Sequence, residues 1–151
     1  MKTVFLLVGI CAMAAVACNN TESDPAQVES IMKDSSKYTT IQWMDSSIDF
    51  GSKKMGEVVN IVFHCKNTGD KPLYLNQVHP GCGCTLANYT KTPIAPGAMG
   101  EVDAQFDTKK SHPGEVHKTI FVSANNSNKV DNYLRFSGTV LPADSTQSAS
   151  K

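Results

Sequence analysis

From residue 41 to residue 141 the sequence predicts an all-β fold, a single antiparallel sandwich of about seven short strands. Three observations predict it. Apolar residues recur with period two in runs of about six to ten residues rich in β-branched and aromatic types. Clusters of Gly, Pro, Asn and Asp separate the runs. No stretch carries a helical apolar stripe of a dozen residues.

Taken in order, the strands fall at 41–50, 57–66, 72–79, 84–90, 101–107, 116–124 and 131–140. In the second, Val59, Ile61, Phe63 and Cys65 alternate with Asn60, Val62, His64 and Lys66; in the fifth, Val102, Ala104 and Phe106 alternate with Asp103, Gln105 and Asp107. Ile120, Val122 and Ala124 alternate with Thr119, Phe121 and Ser123, and Leu134, Phe136 and Gly138 with Arg135 and Ser137. Turns are expected at Asn67-Thr68-Gly69-Asp70-Lys71-Pro72, Ala95-Pro96-Gly97, His112-Pro113-Gly114 and Asn125-Asn126-Ser127-Asn128. The expected core is Phe63, Leu73, Leu75, Phe106, Ile120, Val122, Leu134 and Phe136, with Trp43, the only tryptophan, packed at the domain edge.

The N-terminus reads as an address. Lys2 supplies a short positive region, and Val4 to Val16 form an apolar run of about 13 residues, too short for a spanning helix of ~20. The run suits a signal peptide over 1–17. Ala15-Val16-Ala17-Cys18 resembles a bacterial lipobox, in which the cysteine thiol takes acyl chains such as palmitate and becomes the first residue of the mature chain. An ordinary signal peptide with a chance cysteine is the plainer reading; two or three acyl chains at Cys18 would anchor the protein firmly, each buried methylene contributing about 0.8 kcal/mol. Residues 18–40 are polar without sustained period and are expected to be a flexible tether holding the domain off the bilayer, with at most one helical turn at Ile31 and Met32. Residues 142–151 read as a disordered tail. Asn19 lacks the aspartate that retains some lipoproteins at the inner membrane, which favours the outer membrane.

Composition narrows the function classes. At 151 residues the chain is long enough for one domain. Zero formal net charge and 19% charged residues leave no nucleic-acid footprint. There is no phosphate-cradling Gly-rich loop, nucleophile elbow or His-Glu-x-x-His. Asp49, Glu57, Glu101, Asp103, Asp107 and Glu115 are spread over turns and outward faces and read as a solvated β surface. Asn88-Tyr89-Thr90 matches a glycosylation acceptor only by accident in a bacterial chain.

Cysteine carries the remaining chemistry. Once 1–17 is removed, Cys65, Cys82 and Cys84 are the thiols of the domain. Cys65 reads as a small buried hydrophobe. If 57–66 and 72–79 form a hairpin, Cys65 lies about 30 Å from Cys82, beyond the ~7 Å a disulfide allows between Cα atoms. Cys82-Gly83-Cys84 has three open fates in an oxidising envelope: a tight disulfide across Gly83, a soft-metal site for copper or zinc, or free and redox-active thiols. With alternating strand directions the 51–56 loop, this corner and the 108–115 loop share one end, which would gather Met55, His79, Cys82, Cys84, His112 and His117. One intervening residue is tight for two ligands on a tetrahedral ion, which counts against zinc.

The ordered motifs Asp49-Phe50-Gly51, Gly56-Glu57, Asn67-Thr68-Gly69-Asp70-Lys71-Pro72-Leu73, Cys82-Gly83-Cys84-Thr85, Pro96-Gly97, Phe106-Asp107, Gly114, Lys118-Thr119-Ile120, Ser123-Ala124-Asn125 and Leu134…Gly138-Thr139-Val140 resemble a bacterial family described as domain of unknown function 1573. The resemblance covers 41–141 and departs at His79-Pro80-Gly81, where small or polar residues are expected. It implies an immunoglobulin-like sandwich, commonly on exported proteins, without an established activity. The expectation is a non-enzymatic lipoprotein of the cell envelope, an interaction or scaffold module with an envelope protein partner and no cofactor. The alternative is a metal-binding or thiol-redox protein built on Cys82, Cys84 and His79.

Overall fold

The computed structural model describes residues 22–128 and 132–143. The signal peptide, Cys18 and most of the expected tail lie outside the described residues. Eight strands form two four-stranded sheets: β1 (Ile41–Trp43), β2 (Ser47–Lys54), β3 (Val58–Asn67), β4 (Leu75–Pro80), β5 (Thr85–Tyr89), β6 (Met99–Asp107), β7 (Gly114–Ala124) and β8 (Tyr133–Leu141). One sheet has the order β1-β3-β6-β5 and the other β2-β8-β7-β4. This is the all-β sandwich that the period-two pattern predicts. Each inner face contributes alternate residues, as in β3, where Val59, Ile61, Phe63 and Cys65 are buried.

Four expectations are corrected. The strand expected at 41–50 is two strands in different sheets: Trp43 pairs with Cys65 on β3, and Ser47 pairs with Arg135 on β8. Met44-Asp45-Ser46 makes the crossing, held by the Met44 amide donating to the His64 carbonyl (2.9 Å) and His64 Nδ1 donating to Asp45 Oδ2 (3.1 Å). The β2–β8 pairing is parallel, so the sandwich is not wholly antiparallel. The expected hairpin between 57–66 and 72–79 does not form, because β3 pairs with β1 and β6 while β4 pairs with β7 in the other sheet. Cys65 is nevertheless a free, buried thiol, pushed up to about 11 by burial.

The fourth correction is at the N-terminal side. The described part of the expected tether, residues 22–40, packs on the sandwich and contains a helix, α1 (Pro25–Lys33). Asp24 caps it by accepting from the Ala26 amide (2.9 Å), Pro25 fits the first turn, and Glu29 pairs with Lys33 one turn on (2.7 Å). Its apolar stripe is only Val28, Ile31 and Met32, which is short for recognition but long enough to bury Val28 against the sandwich. No helix of the described residues is long and apolar enough to cross a membrane.

The expected core residues are all buried. Phe50, Phe106 and Phe136 add a tilted aromatic cluster with centroids 5.6 to 6.3 Å apart. The cluster lies where β2 bulges between Asp49 and Ser52. Gly51 takes the left-handed conformation there (φ +71°), and its amide donates to Asp49 Oδ1 (2.8 Å). A Cβ on Gly138 opposite would collide with the Phe50 ring and the Gly51 carbonyl.

Two asparagines close the end of the sandwich that receives residues 37–40. Asn67 accepts from Thr39 Oγ1 (3.0 Å) and the Gly69 amide (3.1 Å), and donates to the carbonyls of Lys71 (2.8 Å) and Ile94 (2.9 Å). Asn125 accepts from the Tyr74 amide (2.7 Å) and donates to the carbonyls of Lys37 (2.9 Å) and Pro72 (3.1 Å). Both carry 0% exposure, so each amide answers for groups that water cannot reach.

Candidate functional site

The opposite end carries the cysteine corner. β4 leaves its sheet after the Gly81 amide donates to the Thr119 carbonyl (2.9 Å), and the chain crosses to the other sheet within four residues, Gly81 to Cys84. Cys82 and Cys84 are joined by a disulfide (S–S 2.04 Å, Cα–Cα 5.3 Å). The Asp107 amide donates to the Cys84 carbonyl (2.9 Å), which starts the β5–β6 ladder. Thr85 is buried beneath, its Oγ1 3.6 Å from Cys82 Sγ. Cys84 belongs to the core and Cys82 packs against it.

The 54–57 turn and the 108–110 turn meet at the same end. The Gly56 amide donates to Thr108 Oγ1 (2.8 Å), whose hydroxyl faces the carbonyls of Glu57 (2.7 Å) and Lys54 (3.1 Å). The loops therefore converge, but the side chains proposed as ligands do not. His79 has outward phase on β4, is exposed, and donates from Nε2 to Gln77 Oε1 (3.0 Å). Met55 packs on the core, and exposed His112 donates from Nδ1 to the Pro113 carbonyl (3.1 Å). His117 points outward beside Glu115, 4.0 Å away. Among the described residues no three His, Cys, Asp or Glu side chains form a metal-binding group. The physical reason is strand phase: the corner turns Cys82 and Cys84 inward, while the β4 alternation sends His79 to the other side.

The carboxylates serve locally. Asp107 Oδ1 accepts from the Lys109 amide (3.0 Å) and Glu57 Oε2 from the Lys54 amide (3.2 Å), so both are turn caps. A stronger surface feature is aromatic. Register pairs His79 with Phe121 and Phe121 with Tyr133, which lays these three side chains in a row across β4, β7 and β8. Phe121 is 40% and Tyr133 46% exposed, with ring centroids 5.3 Å apart. The Arg135 guanidinium lies 5.9 Å from the Tyr133 centroid and donates to the Tyr133 carbonyl (3.3 Å). This row was not singled out from the sequence, although large aromatics at polar-phase positions of two strands are its signal.

A second exposed region borders β5. Leu86 is 67% exposed over an open trough of 430 Å³ lined by Asn60, Val62, Asn88, Asp103 and Gln105 among others. The Cys84–Asp107 and Thr90–Glu101 bonds set the ladder phase, so the Ala87 amide and carbonyl point away from β6.

Comparison with known proteins agrees with this architecture. A family model described as protein of unknown function (DUF1573) matches residues 41–140. No curated protein matches the sequence. Among solved structures, a protein of unknown function from Porphyromonas gingivalis W83 is similar over 70% of this chain with 17% identity and a TM-score of 0.61. This chain spans 49% of that protein's length. The ASH/PapD-like domain 7 of human CEP192 is similar over 87% of this chain and 98% of its own, with 13% identity and a TM-score of 0.53. The E. coli chaperone DraB is similar over 67% of this chain and 55% of its own, with 8% identity and a TM-score of 0.50. At these identities the likeness is one of fold, an immunoglobulin-like sandwich.

Proposed function

The chain belongs to the DUF1573 family, and from that premise we propose that it is a non-enzymatic, lipid-anchored interaction module of the bacterial cell envelope. The observation that carries the reading is the exposed cluster of Phe121 and Tyr133 with Arg135 beside it. Tyr, Phe and Arg are the residue types enriched where protein surfaces meet, and a group already packed together, here with the rings tilted, costs little to order on binding. The β-sheet beneath holds all three at fixed register. Anchorage is supported by the lipobox-like Ala15-Val16-Ala17-Cys18 after an apolar run, with the outer membrane favoured by Asn19.

A photo-reactive phenylalanine analogue at position 121 of the full-length protein, in its own envelope, tests the reading. The expected result is a discrete cross-link to one exported protein that disappears in Arg135→Ala. Cross-linking at 86 but not at 121 would move the contact to the β5 edge, where a partner strand could add to the sheet. No cross-link at either position refutes the interaction role. Acylation is read separately, as a mass increase on the mature chain that is absent in Cys18→Ala.

A further inference from the structure

We propose that residues 22–40 are a docked strap that seats one end of the sandwich directly on the lipid surface, leaving the Cys82–Cys84 end facing away from it. The inference rests on lipidation of Cys18 and deepens it by assigning the surface that meets the bilayer. A segment of 22 residues free to wander would let the domain drift; Gly/Ser-like chains of this length span roughly 25 Å on average. The structure removes that slack. The Ser23 amide donates to the Lys91 carbonyl (3.2 Å), Glu22 lies 3.8 Å from Lys91 Nζ, and Val28 is buried beside Leu75 and Tyr89. The helix is then tied back by Tyr38 Oη donating to the Met32 carbonyl (2.8 Å), and by Lys71 Nζ donating to the Ser36 carbonyl (2.7 Å). Thr39 ends the strap in the Asn67 and Asn125 networks.

Only four peptide steps separate Cys18 from docked Glu22, a maximum of about 14 Å. The attachment point is near Lys91, just beyond β5, on the side of the molecule where β5 and β3 end and β6 begins. The cysteine corner lies at the other end of those strands, roughly 27 Å along β6. A lipid at Cys18 therefore holds the 91–97 end within a headgroup layer of the bilayer, and the corner stands a strand length further out.

The test uses full-length, acylated protein in phosphatidylethanolamine vesicles that carry a headgroup energy acceptor. Single labels are placed at Ala95→Cys, near the strap, and at His112→Cys, near the corner. Native Cys65 is buried and Cys82 and Cys84 are bonded, so labelling is selective. Energy transfer from position 95 is expected to exceed that from position 112 several-fold. A roughly twelve-residue Gly/Ser insertion between Asn20 and Thr21, which touches no described residue, should erase the difference. Val28→Asp, which undocks the helix, should do the same. Equal transfer from both positions in acylated protein overturns the seating while leaving the anchor intact. Protein that shows no acyl mass and does not float with vesicles overturns the anchor and the seating together.

Discussion

Asn67→Ala removes the amide that joins three segments of chain. Four bonds are lost: from Thr39 Oγ1 and the Gly69 amide, and to the carbonyls of Lys71 and Ile94. At about 1 kcal/mol for each net bond the loss is about 4 kcal/mol, a large part of the ~5–15 kcal/mol that holds a domain of this kind together. Water entering the vacated space toward half-exposed Lys71 would lower the loss to about 2–3 kcal/mol. The assay is urea unfolding followed by the fluorescence of Trp43, which sits on β1 against the core and whose Nε1 donates to Asn132 Oδ1 (3.2 Å). With a slope of about 2 kcal/mol/M, the midpoint should fall by roughly 1 to 2 M. Asn67→Asp should be no milder, because it keeps the acceptor but turns a second oxygen toward two carbonyls. A midpoint within about 0.3 M of the parent at unchanged slope would refute the view that this buried amide organises the end of the sandwich.

Three further perturbations follow from the geometry. Cys82→Ser with Cys84→Ser opens a loop of three residues, so chain entropy assigns the bridge about 1.6 kcal/mol; urea unfolding should show a folded domain with that modest deficit, and a collapse of the fold would contradict it. Gly138→Ala places a methyl against Phe50 and the Gly51 carbonyl and should cost about 1–3 kcal/mol, measured as a lower melting temperature. Cys65 should resist alkylation until the protein unfolds. Because burial raises its folded value above the 9.0 of the open chain, the folded state holds the proton more tightly. Its contribution is therefore complete below pH 9 and is lost as pH rises toward about 11, a slope that Cys65→Val should lack.

Strand content and core were legible because both depend on local alternation. Phe63, Ile120, Val122 and Leu134 could be assigned to the interior from their neighbours alone. Partnership was not, since a period of two gives a strand its faces but no neighbour. The run at 41–50 has continuous strand chemistry, and only the ladders to β3 and β8 reveal that it changes sheets at Asp45. The helix at 25–33 was hidden by its brevity: three apolar residues look like noise until the sandwich supplies a surface for Val28. The cysteine corner was visible as a motif with several outcomes, and His79 was grouped with it by distance along the chain. Strand phase, which sequence proximity ignores, separates them. The motifs around Asn67 and Asn125 mark buried hydrogen-bond hubs.

The docked N-terminal segment also separates two quantities that are easily equated. The family match spans residues 41–140, whereas the hydrogen-bonded and packed structure extends back to Glu22 and Ser23. A chain trimmed to the matched span would lose the partner of Asn67 at Thr39 and the carbonyl that Asn125 grips at Lys37, and would bare the patch that Val28 covers. This protein cut at the recognisable border would then seem intrinsically fragile or sticky, when the fault lies in where the border was drawn. For this chain, boundaries taken from hydrogen-bond closure should give a better-behaved protein than boundaries taken from similarity.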